Sequence, residues 1–195
     1  NITYLKEVFY NMNYMNINHN NKLITDGLMK FTGNEKELSN MLIQEFSSYN
    51  ENFKIACINY FNYKKIKCEE SIYKILKDEN ELQEVRIACI RYFGSIQYKK
   101  AVPILHDLLN DKIEEYGVVS ASTLRNYKSV ETTEALIQAL QSHNWYIRNN
   151  AAESLIKITK KEYIQKIVDK IDDKYAKEAL NYQLYLNGKE VTRWT

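Results

Sequence analysis

The chain has 195 residues, 45 % of them hydrophobic, and a formal net charge of +2 at pH 7. This length allows one large domain or a short series of repeats, and the charge is too balanced to indicate a nucleic acid or an anionic membrane as partner. With only five glycines and one proline, the composition disfavours sheets joined by tight turns and favours long helices with short connections.

The N-terminal region carries weak helical patterns. We interpret YLKEVFYNM at 4–12 as the second helix of a unit cut by the chain start, and the Asn-rich residues 11–21 as an exposed loop. LITDGLMKF at 23–31 and ELSNMLIQEF at 37–46 predict an early pair of helices. Together these segments form a degenerate repeat region over residues 1–49.

One helical pattern then recurs four times. In VRIACIRYFGSI at 85–96, large and small apolar residues lie at i, i+3, i+4, i+7, i+8 and i+11, which is one face of an α-helix. The same face returns after about 31 residues each time, with copies that start at Phe53, Val85, Tyr116 and Ile147. We name each copy helix A. One helix pair cannot bury its own apolar face, so the face is repeated and stacked neighbours bury it.

A second amphipathic segment follows each copy and predicts a helix B. These segments are SIYKIL at 71–76, AVPILHDLL at 101–109, EALIQAL at 134–140 and YIQKIVDKI at 163–171. Pro103 stands near the start of its helix, where a missing amide hydrogen costs little. Asn52, Asp111 and Asn144 are predicted as N-caps or polar turn residues at the starts of A helices.

The elements together predict an all-α fold. We expect an α-α superhelix, a right-handed solenoid of about five helical hairpins that forms a single domain over residues 1–195. Clearer repeats are predicted at 50–80, 81–111, 112–143 and 144–174. Residues 175–186 predict a C-terminal capping helix, and a short tail with Trp194 follows it.

The segment VRIACIRYFGSIQYKKAVPIL at 85–105 resembles the HEAT-repeat family, in particular the bacterial HEAT-like repeats named after phycobilisome lyases. The matching residues are Val85-Arg86, Cys89, Phe93-Gly94 and Ala101-Val102-Pro103, and again Ile147-Arg148, Ala151-Ala152 and Leu155. Tyr60 and Tyr92 depart from the family by filling a slot usually given to a small residue, and Gly117 stands where Arg is usual. The resemblance covers about residues 50–174 and implies a HEAT-like solenoid in a bacterial protein.

The cysteines and the absence of targeting signals indicate the compartment. Cys57, Cys68 and Cys89 form no CxxC motif, which argues against a disulfide framework and favours a cytoplasmic location. No stretch reaches the roughly 18 consecutive apolar residues of a membrane helix, and no secretory leader is present. Because the first residue is Asn1 rather than Met, we expect a processed or trimmed piece, and an upstream membrane anchor stays open.

The titratable residues form no catalytic constellation. His19, His106 and His143 share no metal-ligand spacing. Glu69-Glu70 and Glu114-Glu115 stand near predicted helix starts, where negative charge interacts well with the helix dipole. We interpret Cys57 and Cys89, which share one repeat slot, as buried packing residues rather than reactive thiols, and we expect Cys68 to be exposed near a turn. The sequence therefore predicts no metal, no cofactor and no enzymatic activity.

A ladder of cations, Lys54, Arg86 and Arg148, occupies one repeat position. We interpret the ladder as structural, with each cation paired to a carboxylate of its own or a neighbouring repeat; the alternative is that it tracks phosphates. Trp145 and Tyr146 open a helix A beside Arg148. Aromatic residues beside Arg are typical of protein interfaces and of sites that stack on bases. They also pack the start of a helix against its neighbour.

The side of each helix B opposite its apolar stripe is predicted to line a concave face. The candidate partner-binding residues on this face and at the Trp145 edge are Lys74, Lys77, His106, Asp107, Gln138, Gln141, Trp145 and Arg148. The strip is mixed in charge, so it suits a protein segment better than a DNA backbone.

The predicted function is a non-enzymatic HEAT-repeat scaffold that binds a protein or peptide partner on the concave helix-B face. A nucleic acid partner is disfavoured, no membrane insertion is expected, and the oligomeric state stays open. One alternative is a DNA-binding enzyme of the alkylpurine DNA glycosylase type. That family also uses HEAT-like repeats, and some of its members recognise lesions with Trp, Arg and Asp. Another, from the family name alone, is a lyase or chaperone for a tetrapyrrole cofactor.

Overall fold

The computed structural model describes residue 7 and residues 21–192, with side chains to Gly188. This part of the chain contains eleven α-helices and no strand, so the predicted all-α helical-repeat fold is confirmed. The segment predicted as a helix at 4–12, the loop up to residue 20, His19 and Trp194 lie outside the described residues, apart from Glu7. Asn21, predicted as the last loop residue, is already the first residue of a helix.

The helices alternate between the two types predicted. The A helices are α1 (Asn21–Met29), α3 (Glu51–Lys64), α5 (Gln83–Ser95), α7 (Glu114–Thr123), α9 (Trp145–Ile158) and α11 (Lys174–Thr192). The B helices are α2 (Glu35–Gln44), α4 (Glu69–Lys77), α6 (Val102–Asp107), α8 (Val130–Ala139) and α10 (Lys161–Lys170). Short 3-10 turns are at Phe46–Ser48, Lys99–Ala101, Leu108–Asn110 and Leu124–Asn126.

The described helices fall into two compact units, one that ends at Ile96 and one that begins at Gln97. In the first unit, α3 packs against α1 and α5, and α5 also packs against α4, the helix B of the preceding repeat. In the second unit, α9 packs against α7, α8 and α11. A helices therefore stack on A helices within each unit, as a repeat architecture requires. The single domain over residues 1–195 stays a prediction.

The repeated helix-A face forms the core of each unit. Nearly all residues of the four copies are buried, and in the second copy Val85, Cys89, Tyr92 and Phe93 are fully inaccessible to solvent. Burial of a side chain of this size contributes about 1.5–3 kcal/mol. The helix-B stripes meet this core through Leu76, Leu105, Leu136 and Ile164, among others.

Polar caps begin several A helices. Asn144 is the N-cap of α9, as predicted, and its Oδ1 accepts hydrogen bonds from the backbone N–H groups of Tyr146 and Ile147 at 2.8 and 3.3 Å. The prediction for Asn52 is wrong, because Asn50 caps α3 by accepting from Phe53 N–H at 3.0 Å. Asp111 is a turn residue whose carboxylate accepts from Ile113 N–H at 2.9 Å.

A tyrosine hydroxyl ties one repeat to the turn of the previous one. Tyr92 Oη donates to the carbonyl of Ile66 at 2.8 Å and accepts from the backbone N–H of Cys68 at 2.9 Å. This turn follows Lys65, whose φ of 55° ends α3 in the left-handed conformation. The hydroxyl contact explains why Tyr92 stands in a slot that the family usually gives to a small residue.

The members of the cation ladder contact a carboxylate or backbone carbonyls of neighbouring segments. Lys54 Nζ lies 2.7 Å from the Glu81 carboxylate, which is the kind of pair predicted. Arg86 donates from Nε to the carbonyl of Leu76, in the last turn of α4, at 3.1 Å. Arg148 donates from Nη1 to two backbone carbonyls in the turn after α8. In these two repeats, a helix-A arginine therefore satisfies carbonyls at or beyond the end of the preceding helix B, where such groups lack helical partners.

Candidate functional site

The predicted partner-binding residues of the first unit are Lys74 and Lys77. Both are exposed on α4, and Lys77 Nζ lies 5.6 Å from the centre of the Tyr73 ring. They remain solvent-facing candidates whose role is a prediction.

Four predicted residues lie on or directly after helices α6 and α8 of the second unit. Asp107, Gln138 and Gln141 are exposed, with Gln141 just beyond the end of α8. His106 is half-buried, and its Nε2 lies 3.1 Å from the hydroxyl of Thr132 on the neighbouring helix B. His106 is therefore engaged in a contact between helices rather than presented fully to a partner.

Trp145 and Arg148, by contrast, line one pocket of about 290 Å³ on the second unit. We name it the Trp145 pocket. It is lined by Trp145, Arg148, Asn149, Tyr175, Glu178, Ala179 and Tyr182. The rings of Trp145, Tyr175 and Tyr182 are 56 %, 60 % and 53 % exposed, so three aromatic side chains surround it and face solvent.

Helical spacing accounts for both walls of the pocket. Residues three and four apart share a helix face, which places Trp145, Arg148 and Asn149 together on α9. On α11 the same spacing aligns Tyr175, Glu178, Ala179 and Tyr182. The packing of α11 against α9 then joins the two faces. The residues on α11 were missed from the sequence, although their i, i+3, i+4, i+7 pattern was visible in a helix interpreted only as a cap.

The Asn144 cap fixes where the α9 wall begins. Its Nδ2 donates to the Glu114 carboxylate at 2.6 Å, which ties the start of α9 to the start of α7. Trp145 and Tyr146 follow as the first two helical residues, and their rings meet edge to face with centres 5.1 Å apart. This contact restricts the orientation of Trp145 despite its exposure.

Arg148 is held in place on two sides. Its Nη1 donates to the carbonyls of Ser142 and His143 at 2.8 and 2.9 Å, and the guanidinium carbon lies 5.3 Å from the centre of the Tyr175 ring. Both hydrogens of Nη1 are thereby used. The donors of Nε and Nη2 have no acceptor among the described residues, so one edge of a fixed, planar cation stays available.

The other polar side chains of the pocket, Asn149 and Glu178, each contact a neighbouring residue. Asn149 Oδ1 accepts a hydrogen bond of 2.9 Å from the amide of Gln183, which is only 6 % exposed. Its Nδ2 has no partner in the part of the chain that the structure describes. Glu178 pairs with Lys174 at 3.8 Å, one turn earlier on α11.

A wider groove of about 670 Å³ lies elsewhere on the second unit, between the start of α8 and the junction of α9 with α10. It is lined by Lys128, Ser129, Val130, Thr133, Glu134, Ile158, Thr159, Lys160 and Tyr163. Val130 and Tyr163 are 69 % and 48 % exposed. The groove holds no arginine and no tryptophan, and its lysines and glutamate are exposed.

The thiols have the properties of packing residues. Burial raises the pKa of Cys57 and Cys89 well above the usual thiol range, and both side chains are fully inaccessible. Burial also raises the pKa of the half-buried Cys68 to about 11, although its hydrogen bond with Tyr92 partly opposes the shift. A reactive thiol needs a lowered pKa, so none of the three is poised as a nucleophile.

The carboxylate pairs also lie where the sequence predicted. Glu69-Glu70 and Glu114-Glu115 occupy the first turns of α4 and α7. In the described ranges, no three His, Cys, Asp or Glu side chains cluster closely enough to hold a metal ion. Among the helices that the structure describes, none is long and apolar enough to cross a membrane.

Comparison with known proteins agrees with the repeat pattern. Residues 85–111 match the family model described as PBS lyase HEAT-like repeat. A search of curated proteins found no match to the chain. The matched segment covers α5, the following turn, α6 and the 3-10 turn after it, which together are one complete repeat of a helix A and a helix B. This chain is therefore an all-α helical-repeat protein that carries a PBS-lyase-type HEAT-like repeat at residues 85–111.

Proposed function

We propose that this protein is a non-enzymatic scaffold that binds a protein or peptide partner, with the Trp145 pocket as the anchor of the interaction. One observation carries the proposal: three exposed aromatic rings and an oriented arginine converge on one pocket. Trp, Tyr and Arg are the residue types that contribute most binding energy at protein interfaces. A fold that only needed to bury its core would gain nothing from exposing them here.

Two further points support a binding role. HEAT-like repeats commonly mediate protein interactions, and their family is generally non-catalytic. The exposed residues Lys74 and Lys77 on the first unit, and Asp107, Gln138 and Gln141 on the second, form a second part of the proposal, because each set offers charged and polar contacts to a partner. The cytoplasmic location and the bacterial origin stay predictions.

The test is affinity capture from native lysate with the full chain as bait. Trp145→Ala should abolish recovery of a specific protein that the wild-type chain captures, and Tyr182→Ala, on the opposite wall, should do the same. Tyr63→Ala is the matched control, because Tyr63 is 72 % exposed on α3 in the other unit. Truncation of exposed side chains should change the unfolding free energy by less than about 0.5 kcal/mol, so folding is not confounded. Equal capture by all four proteins would exclude the pocket as the anchor.

One observation favours the glycosylase alternative: a tryptophan, an arginine and a carboxylate, Glu178, line the same pocket. The carboxylate is a glutamate rather than the aspartate of that family, and the net charge of +2 provides little attraction to DNA. Capture repeated after nuclease treatment separates the two functions. Loss of all capture with nuclease, together with release of an alkylated base from DNA, would replace the scaffold proposal by the enzymatic one.

A further inference from the structure

We infer that the Trp145 pocket recognises an acidic side chain, Asp or Glu, within an extended segment of the partner protein, an inference that rests on the proposed function. The aromatic rings would contact an apolar residue next to the acid. The inference depends on three features of the pocket: the free edge of Arg148, the donor character of Asn149 and the pairing of Glu178.

The free edge of Arg148 is oriented before any partner arrives. Its Nη1 is bonded to two carbonyls and its guanidinium carbon lies over the Tyr175 ring, so the guanidinium has little freedom to rotate. The remaining donors, Nε and Nη2, form a fork that matches the two oxygens of a carboxylate. Because the arginine side chain is already ordered, little of its conformational entropy is lost when a ligand binds.

Asn149 adds donors rather than acceptors. Its Oδ1 accepts from the buried Gln183 amide, which leaves Nδ2 as the group that can bind a ligand. Arg148 and Asn149 are adjacent in sequence and line the same pocket. Arg148 and Asn149 therefore offer hydrogen-bond donors to a partner. A carboxylate matches them because it provides two acceptor oxygens.

The charges of the pocket have unequal compensation. Glu178 is paired with Lys174, whereas no ion pair among the described side chains involves Arg148. Arg148 is also less exposed than Glu178, so solvent screens its charge less. An aromatic-lined pocket would otherwise suit a cation. Here the uncompensated arginine repels a cation and attracts an anionic side chain.

The size of the pocket fits one or two side chains. Its volume of about 290 Å³ is at the lower end of the roughly 300–1,000 Å³ range of small-molecule sites. Tyr175 and Tyr182 lie one helical heptad apart on α11 and provide apolar surface beside the guanidinium. A short acidic and apolar motif in a partner therefore matches the pocket better than a large ligand does.

The experiment is a selection from a phage-displayed library of random linear peptides on the full chain, with counter-selection on Trp145→Ala. We expect enriched peptides with Asp or Glu beside an apolar or aromatic residue. In a synthetic copy of the best peptide, replacement of the acid by its amide should weaken binding about tenfold or more. Arg148→Lys should weaken binding similarly without loss of folding, because lysine lacks the planar fork. Glu178→Gln, the control, should bind as tightly as the wild-type chain or more tightly.

The other outcomes separate the two claims. Trp145-dependent peptides that lack an acid, or that are basic, would overturn this inference and leave the proposed function standing. Binding that requires a free C-terminal carboxylate and is lost on C-terminal amidation would also overturn it, since the source of the anion would differ. If no peptide depends on Trp145, both the inference and the pocket's proposed function fail.

Discussion

Arg86 and Arg148 occupy the same position in two repeats, and their surroundings differ. Arg86 is 8 % exposed and donates from Nε to the carbonyl of Leu76 inside the core of the first unit. Arg148 is half-buried, uses one nitrogen for two turn carbonyls, and presents its other edge to a pocket. The repeat position therefore supplies a cation for backbone carbonyls in both copies, and in one copy the cation also lines the pocket that we propose as the binding site.

The residues at the two helix starts explain part of this difference. Helix α5 begins with Gln83 and Glu84, whereas the corresponding residues of α9 are Trp145 and Tyr146. The polar pair needs no partner beyond solvent, but the aromatic pair exposes apolar surface directly beside the arginine. The two repeats thus keep an arginine that bonds to backbone carbonyls, while the residues one turn away differ in the apolar surface that they expose beside it.

The largest expected difference between the two arginines is in their contribution to the free energy of unfolding. Arg86→Ala should lower the free energy of unfolding by about 3 kcal/mol, because a buried carbonyl loses a charged donor and the core loses the arginine's packing. Arg148→Ala should lower it by about 1 kcal/mol, because solvent reaches the carbonyls that it leaves. Urea denaturation followed by circular dichroism measures both values.

Arg91→Ala is the control for that measurement, since Arg91 is exposed on the same helix as Arg86 and its loss should have little effect. If Arg86→Ala and Arg148→Ala destabilised the protein equally, the contrast between a core cation and a pocket cation would be lost.

The third copy of this position holds Gly117, and its substitution gives the next largest effect. A Cβ there would lie 2.9 Å from the carbonyl oxygen of Leu109 and 2.6 Å from Cδ1 of Ile147. Gly117→Ala should therefore destabilise the fold by about 1–2 kcal/mol despite the better helix propensity of alanine. Close approach of the backbone explains why no arginine stands in this copy.

Gly27 provides the opposite case for the same thermal or urea unfolding experiment. It lies inside α1 with nothing within 4 Å of its Cβ position, so Gly27→Ala should stabilise by about 0.5–1 kcal/mol. A stabilising Gly117→Ala would show that the helices move apart at little cost, against the close packing described here.

The repeated helices could be predicted because burial imposes a period on the sequence. Val85, Ala88 and Cys89 were placed on an inner face from spacing alone, and all three are buried. Of the candidate partner contacts, whose role stays a prediction, Trp145 and Arg148 lie together on the α9 wall of the Trp145 pocket. The α11 wall was missed, since the spacing of Tyr175 and Tyr182 does not reveal which helix α11 packs against.

The backbone acceptors of the ladder could not be predicted for a different reason. Arg86 and Arg148 each donate to backbone carbonyls, and every residue has such a group, so the sequence does not indicate which one accepts. The carboxylate pairing expected of Lys54 is found at Glu81, a residue that the sequence analysis did not single out. Likewise, nothing in the sequence joins His106 to Thr132, whose contact depends on the packing of α6 beside α8.

That contact gives the smallest predicted effect. Burial lowers the pKa of His106 below its usual value, although Asp107 and Glu131 partly oppose the shift. A histidine that is harder to protonate when folded contributes stability that is present above the unfolded pKa of about 6.5 and is lost as the pH falls through the folded value. Stability should therefore decline slightly below about pH 6.5 through this residue, because the half-exposed imidazole loses only part of its hydration on folding. In His106→Gln, which can keep a hydrogen bond to Thr132, that part of the decline should vanish, whereas His143→Gln, at an exposed turn residue, should retain it. An unchanged pH profile in His106→Gln would mean that His106 meets solvent as freely as the other predicted helix-B residues, and it would return to the list of partner contacts.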